Sequence, residues 1–179
     1  MALVPPIAES PEEVRAALAP LRHDFSVAIR SFGNAFAVGA VIRVAHSFLA
    51  REIFVIGNEP YYPKASMGME KYETLIRVPG DDAFFEAVRG RPVWAIEKDH
   101  ARRSLHAVLG FPRHVVLAFG SEREGLPRTF VDRADDVIGI PMYGVNHSFP
   151  VAVAAGIVMH EWVRRRHASE APKPAVLGS

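Results

Sequence analysis

The run Phe119-Gly120-Ser121-Glu122-Arg123-Glu124-Gly125-Leu126 carries the strongest organising signal in the chain. An apolar stretch over 114–119 reads as a buried strand, and it runs straight into two glycines that bracket a polar loop. Leu126-Pro127 then opens the next helix. Loops at the carboxyl ends of parallel strands are the usual ligand sites of open α/β sheets. Glycine lets backbone approach a ligand closely or adopt positive φ. Taken alone, the pair also suits a plain strand-to-helix turn. The run is not the dinucleotide fingerprint, because G-x-G-x-x-G near a first strand is missing.

Working outward, strands and helices alternate along the whole chain, which predicts an α/β domain with a mostly parallel sheet. Strands are expected at 25–30, 52–57, 75–78, 92–96, 114–119 and 137–140. Helices are expected at 11–18, 35–50, 81–89 and 148–166. Ser10 followed by Pro11-Glu12-Glu13 has the pattern of a capped helix start. The segment 60–72 is the longest irregular stretch, and such segments often carry function. The expected organisation is a helical N-terminal extension over 1–24, one domain over 25–166 and a flexible tail over 167–179.

Two further segments have chemical potential. Ile138-Gly139-Ile140-Pro141-Met142-Tyr143-Gly144-Val145-Asn146-His147-Ser148 is another apolar strand ending in a Gly/Pro/Asn loop. Ser148 suits the N-cap of a helix whose first turn tolerates Pro150. That helix is apolar on nearly every face over 151–158, so burial on all sides is expected, against its own domain or a second subunit. The other segment is the apolar helix around Arg43. A guanidinium stays protonated and is rarely buried alone. It therefore meets a carboxylate such as Glu122, snorkels to the surface, or points into a site that receives an anion.

Composition narrows the function classes. The chain has 179 residues, 49% hydrophobic and 23% charged, with net charge +1. That suits one globular domain and excludes intrinsic disorder. It lacks the global charge that would itself announce a polyanion partner. Local basic patches lie at Arg102-Arg103 and over 164–166, each readable as solvated surface or as phosphate contacts. There is no cysteine, which rules out disulfides and a thiol nucleophile. The eight histidines never fall at a zinc-binding spacing, so no metal is expected. No signal peptide and no membrane-length apolar run is evident, so a cytoplasmic, non-membrane protein is expected.

Together these segments resemble the SpoU (TrmH) branch of the SPOUT RNA methyltransferases. The Asn-led turn into an Arg-bearing helix over 34–48 is similar to that family's first motif. The run over 120–126 matches its G-[ST]-E-x-x-G-[LI] second motif. Ile140-Pro141-Met142-Tyr143-Gly144 and the small-residue helix after Ser148 are similar to its third. Ser66-Met67-Gly68-Met69-Glu70-Lys71-Tyr72 also resembles a loop common in this branch. The likeness spans about 25–166, and three motifs in order are far more specific than any one alone.

The resemblance implies a SPOUT-type α/β fold with a C-terminal deep trefoil knot, one of the exceptions to the rule against knots. It implies a homodimer, S-adenosylmethionine as cofactor, and tRNA or rRNA as partner. It assigns Phe119, Gly120, Ser121, Glu122, Gly125, Ile140, Met142, Ser148 and Phe149 to the cofactor. A catalytic role falls to Arg43, Ser148 and Glu122, with Arg43 facing a ribose 2′-hydroxyl. Asn34, Arg43, Arg102 and Arg103 are the expected RNA contacts. Two positions depart from the pattern: Ala37 where the family often has Asn, and Ser148-Phe149-Pro150 where it has Ser-Leu-Asn. Pro150 offers neither an N–H nor an amide side chain. A non-catalytic RNA-binding dimer is the alternative these departures leave, and an unrelated nucleotide-binding enzyme is the reading if the motif match is chance.

Overall fold

In the computed structural model, residues 10–31, 33, 35–121 and 124–167 are described. Seven strands form one sheet in the order β3-β2-β1-β6-β4-β7-β5, and every pairing is parallel. They are β1 (Ser26–Arg30), β2 (Ile53–Ile56), β3 (Leu75–Val78), β4 (Val93–Ile96), β5 (Arg103–Ser104), β6 (Val116–Phe119) and β7 (Asp136–Gly139). The helices are α1 (Pro11–Leu18), α2 (Ala35–Ser47), α3 (Asp81–Ala87), α4 (Arg128–Val131) and α5 (Val151–Arg166). A parallel sheet needs helices on both faces, and strands β2, β4 and β6 are accordingly apolar throughout.

Side chains alternate across the sheet as strand geometry demands. Val27, Ile29, Leu117 and Phe119 join the core under α2 and α5. Ala28, Phe54, Val116 and Ala118 join a second core with Phe84 of α3 and Phe130 of α4. The N-terminal extension docks through an ion cluster. Arg22 meets the fully buried Glu73 carboxylate at 2.6 Å, and His46 Nδ1 lies 2.7 Å from the same carboxylate. The same Arg22 also donates to the carbonyls of Ala50 and Tyr72.

The helices expected from the sequence form, α3 ending at Ala87 rather than 89, with three further differences. The first concerns α2, which stops at Ser47 rather than running to 50, because Leu49 takes a left-handed conformation (φ 49°). A second is that α5 begins at Val151, with Pro150 at its N-cap and no side-chain cap, so Ser148 does not cap it. A proline pushes the residue before it out of the helical region, which bars any earlier start. Burial is the third. Val153 is 46% exposed and Ala152, Gly156 and Ile157 are only half buried, so the chain alone does not cover α5 on every side. The segment 60–72 resolves into two 3-10 turns, Pro63–Ser66 and Met69–Tyr72. The expected tail, apart from His167, lies outside the described residues, as do Asn34 and Glu122.

The last turns of α5 carry a pH-sensitive clamp. Arg164 donates to Glu161 at 2.7 and 2.8 Å, Arg165 donates at 2.5 Å, and Arg165 also reaches the Leu109 carbonyl. Chiefly through the Arg164 hydrogen bond, and then Arg165, the Glu161 carboxyl is held at about 2, against the opposing effect of partial burial. A depressed carboxylate stabilises the fold above its unfolded value and loses that contribution as pH falls through its folded one. The melting-temperature difference between wild type and Glu161→Gln should therefore shrink as pH drops from the ordinary carboxylate value of 4.5 to about 2. A difference that stays constant over that window contradicts the clamp.

Candidate active site

The loops leaving the carboxyl ends of β4, β6 and β7 converge on one cavity of about 350 Å³. Its walls are 96–100 at and after the end of β4, Phe119 to Ser121 and Glu124 to Leu126 after β6, and Ile140, Met142 and His147 to Phe149 after β7. Val151 and Ala154 of α5 complete the lining.

The loop after β6 closes on itself. Ser121 and Gly125 form an antiparallel bridge, with Gly125 N–H donating to the Ser121 carbonyl at 2.9 Å. The Ser121 hydroxyl accepts the Glu124 N–H at 3.2 Å. Both glycines are sterically required. A Cβ at Gly120 would lie 2.0 Å from the Gly125 carbonyl carbon. Gly125 has φ +63°, and a Cβ there would lie 2.3 Å from Glu97 Oε2.

Glu97 staples this loop to its neighbour. One carboxylate oxygen accepts the Leu126 N–H at 3.0 Å, and the other accepts the Lys98 N–H at 2.8 Å. Lys98 Nζ in turn donates to the His147 carbonyl at 2.8 Å, tying the β4 loop to the β7 loop. Charge-assisted bonds of this kind are stronger than neutral ones and fix loop geometry. The cavity is thus cross-braced on its polar side and apolar on the other, where Ile96, Phe119, Leu126, Ile140 and Phe149 face it.

Phe119, Gly120, Ser121, Gly125, Ile140, Met142, Ser148 and Phe149 all line this cavity. Of the expected cofactor residues, Glu122 alone lies outside the described ones. Freed from capping, Ser148 sits at the cavity wall, and its carbonyl accepts from Asn146 Nδ2 at 3.2 Å. Arg43 is elsewhere: it is exposed on α2, does not line the cavity, and makes no ion pair among the described residues.

Arg102 and Arg103 lie at the β5 edge and are held by their own chain. Arg102 donates to the carbonyls of Ala134 and Asp135. Arg103 pairs with Asp136 and lies over the Trp94 ring at 4.9 Å. Sequence reasoning missed Glu97, Asp99, His100 and Glu124 as cavity residues. The available signal was the same one that exposed the 120–126 loop, a polar run directly after a buried strand.

The family model for the SpoU rRNA Methylase family matches residues 24–160. The chain belongs to that family. Among its SpoU relatives, the 23S rRNA (guanosine-2′-O-)-methyltransferase RlmB of Coxiella burnetii is 29% identical over 153 residues, covering 86% of this chain and 57% of the relative. The RlmB of Ralstonia nicotianae is 30% identical over 135 residues, covering 72% of this chain and 54% of the relative. The chain thus spans about half the length of the curated relatives it matches. The SpoU methyltransferase AviRb from Streptomyces viridochromogenes, solved with S-adenosylmethionine, superposes with TM-score 0.72 at 26% identity, covering 84% of this chain and 61% of that one. No helix among the described residues is long and apolar enough to cross a membrane.

Proposed function

We propose that this SpoU family chain is an S-adenosylmethionine-dependent methyltransferase acting on the ribose 2′-hydroxyl of tRNA or rRNA. The observation that carries the proposal is the braced cavity at the ends of β4, β6 and β7, cornered by Gly120 and Gly125. Its size suits a nucleoside-containing cofactor. Both glycines let the loop after β6 close tightly on itself and on Glu97, where a Cβ would collide, and so shape this wall of the cavity. The apolar wall of Phe119, Leu126 and Ile140 suits an adenine ring, and nearby Glu97, Asp99 and Glu124 suit a cofactor carrying positive charge.

When bound, S-adenosylmethionine supplies an electrophilic methyl on its sulfonium. The chain's task is to orient and to manage a proton. A ribose hydroxyl is a poor nucleophile at neutral pH, so its proton must pass to a base, for which a phosphate of the RNA is at hand, as the oxygen takes the methyl and the methyl–sulfur bond would break to leave a neutral thioether. The Arg43 guanidinium stabilises the developing alkoxide electrostatically. Ser148 and Glu122 are assigned beside the reacting atoms, and the braced loops hold the geometry. Glu97 acts through those loops as a positioning residue. Glu97→Ala should weaken cofactor affinity about tenfold, the order for one lost charge-assisted hydrogen bond. Glu97→Gln keeps a carbonyl acceptor and should recover most of it; equal affinities for wild type and Glu97→Ala contradict the role.

Arg43 does not line the cavity of its own chain, and in this reading a second copy brings it there. The uncovered face of α5, with Val153 exposed beside half-buried Ala152 and Gly156, supports a homodimer. A C-terminal trefoil knot belongs to the same reading, and the strand order β1-β6-β4-β7 with α5 packed on α2 is in keeping with it. A cytoplasmic location is in keeping with an RNA substrate.

The specific observations favouring the non-catalytic dimer are Ala37, buried in α2 where the family often has Asn, and Pro150 at the α5 entry. Calorimetric titration with S-adenosylmethionine separates the readings. The enzyme should show saturable binding near one cofactor per chain; absence of binding favours the non-catalytic dimer.

A further inference from the structure

The face of α2 that carries Arg43 also carries an aromatic surface that the chemistry above leaves unused. Phe36 is 62% exposed and Tyr62 is 47% exposed. Their rings are nearly parallel, at 22°, with centroids 6.4 Å apart. Phe36 and Arg43 are seven residues apart, two helical turns, so they share a face about 10 Å apart along the axis.

The two rings are built into place. The Tyr62 N–H donates to the Ala35 carbonyl at 2.9 Å. Gly39 admits the Pro63–Ser66 turn against α2, since a Cβ there would lie 2.7 Å from the Tyr62 carbonyl oxygen and 2.8 Å from Ala65 Cβ. The buried Ser66 hydroxyl donates to the Pro63 carbonyl at 2.5 Å and also meets Glu70. Rings fixed before binding lose little conformational entropy on meeting a ligand. Lys64 and Lys71, exposed on the same two turns, have no ion pair among the described residues.

Exposed aromatics beside unpaired cations are how proteins hold unstacked bases of single-stranded RNA. We propose that Phe36 and Tyr62 form a stacking ledge for an unpaired base neighbouring the nucleotide presented to Arg43, with Lys64 and Lys71 contacting its phosphates. The inference rests on the reading of the chain as an RNA methyltransferase, and it names the substrate as unpaired rather than duplex at that position.

The probe is a short single-stranded RNA carrying 2-aminopurine, whose fluorescence falls when the base stacks. Wild type should bind it with quenching. Phe36→Leu and Tyr62→Leu, which keep apolar bulk and lose the π face, should each bind about tenfold more weakly with quenching reduced. Their cofactor affinity and the salt dependence of RNA binding should be unchanged, because no charge is lost. Leu109→Ala, at an exposed apolar residue outside this surface, should match wild type.

Equal affinity and quenching for wild type and the Phe36→Leu/Tyr62→Leu double variant overturns the ledge. So does a fall of Phe36→Leu to a smaller species in sedimentation, which would give the rings to a second copy of the chain. Stacking of the probe without methyl transfer to any RNA upholds the ledge and defeats the enzymatic reading.

Discussion

Arg43→Ala should lower methyl transfer by about 100- to 1000-fold while leaving S-adenosylmethionine affinity at the wild-type value, the scale expected for removing one electrostatic stabiliser of a developing oxyanion. The guanidinium is exposed, carries no ion pair among the described residues and lies outside its own chain's cavity. Its removal therefore leaves packing and cofactor contacts in place. In the proposed homodimer the site is composite. An Arg43→Ala chain keeps an intact cavity, and a Gly125→Val chain keeps an intact Arg43. Each should be inactive alone. The purified mixed dimer should recover activity, up to about half that of wild type, because one of two symmetric sites is whole. A mixed dimer as inactive as its parents contradicts delivery of Arg43 from the partner.

The second large effect belongs to the glycines. Gly120→Ala should abolish measurable S-adenosylmethionine binding, with the far-ultraviolet circular dichroism unchanged. The new Cβ would lie 2.0 Å from a backbone carbon and 2.4 Å from the Leu126 nitrogen. Backbone cannot yield as a flexible side chain does, so the loop has to open and the Ser121–Gly125 bridge breaks. Gly125→Val adds strain at positive φ and collides with Glu97. Calorimetry reads both variants. Wild-type affinity in Gly120→Ala contradicts the close packing of this loop on the cofactor side.

Much of this architecture was legible because buried parallel strands announce themselves. The runs ending at Ile56, Ile96 and Phe119 are apolar without interruption, and each ends in a polar turn where the sheet gives out. The cavity was legible for the same reason, since its loops follow those strands. What escaped the sequence depended on partners distant along the chain. Arg102 and Arg103 read as a free basic patch until Ala134, Asp136 and Trp94 were found holding them. Glu97 is one carboxylate after a strand, and only the fold shows that it faces Gly125 and Leu126. Ser148 has the composition of a cap, yet Pro150 governs where the helix begins. The two-residue β5 is too short for any periodicity to reveal.

The proposed ribose specificity rests on Arg43 and on family membership together, and it meets its most direct test in one assay. Methyl-labelled S-adenosylmethionine is incubated with the protein and bulk tRNA or rRNA from cells lacking it, and the RNA is then hydrolysed in alkali. Alkaline cleavage needs a free 2′-hydroxyl, so a ribose methyl leaves an uncut dinucleotide. Label is expected in alkali-resistant dinucleotides, and should be lost with Arg43→Ala. Label confined to mononucleotides with methylated bases, or no transfer by a protein that binds the cofactor, would contradict ribose methylation.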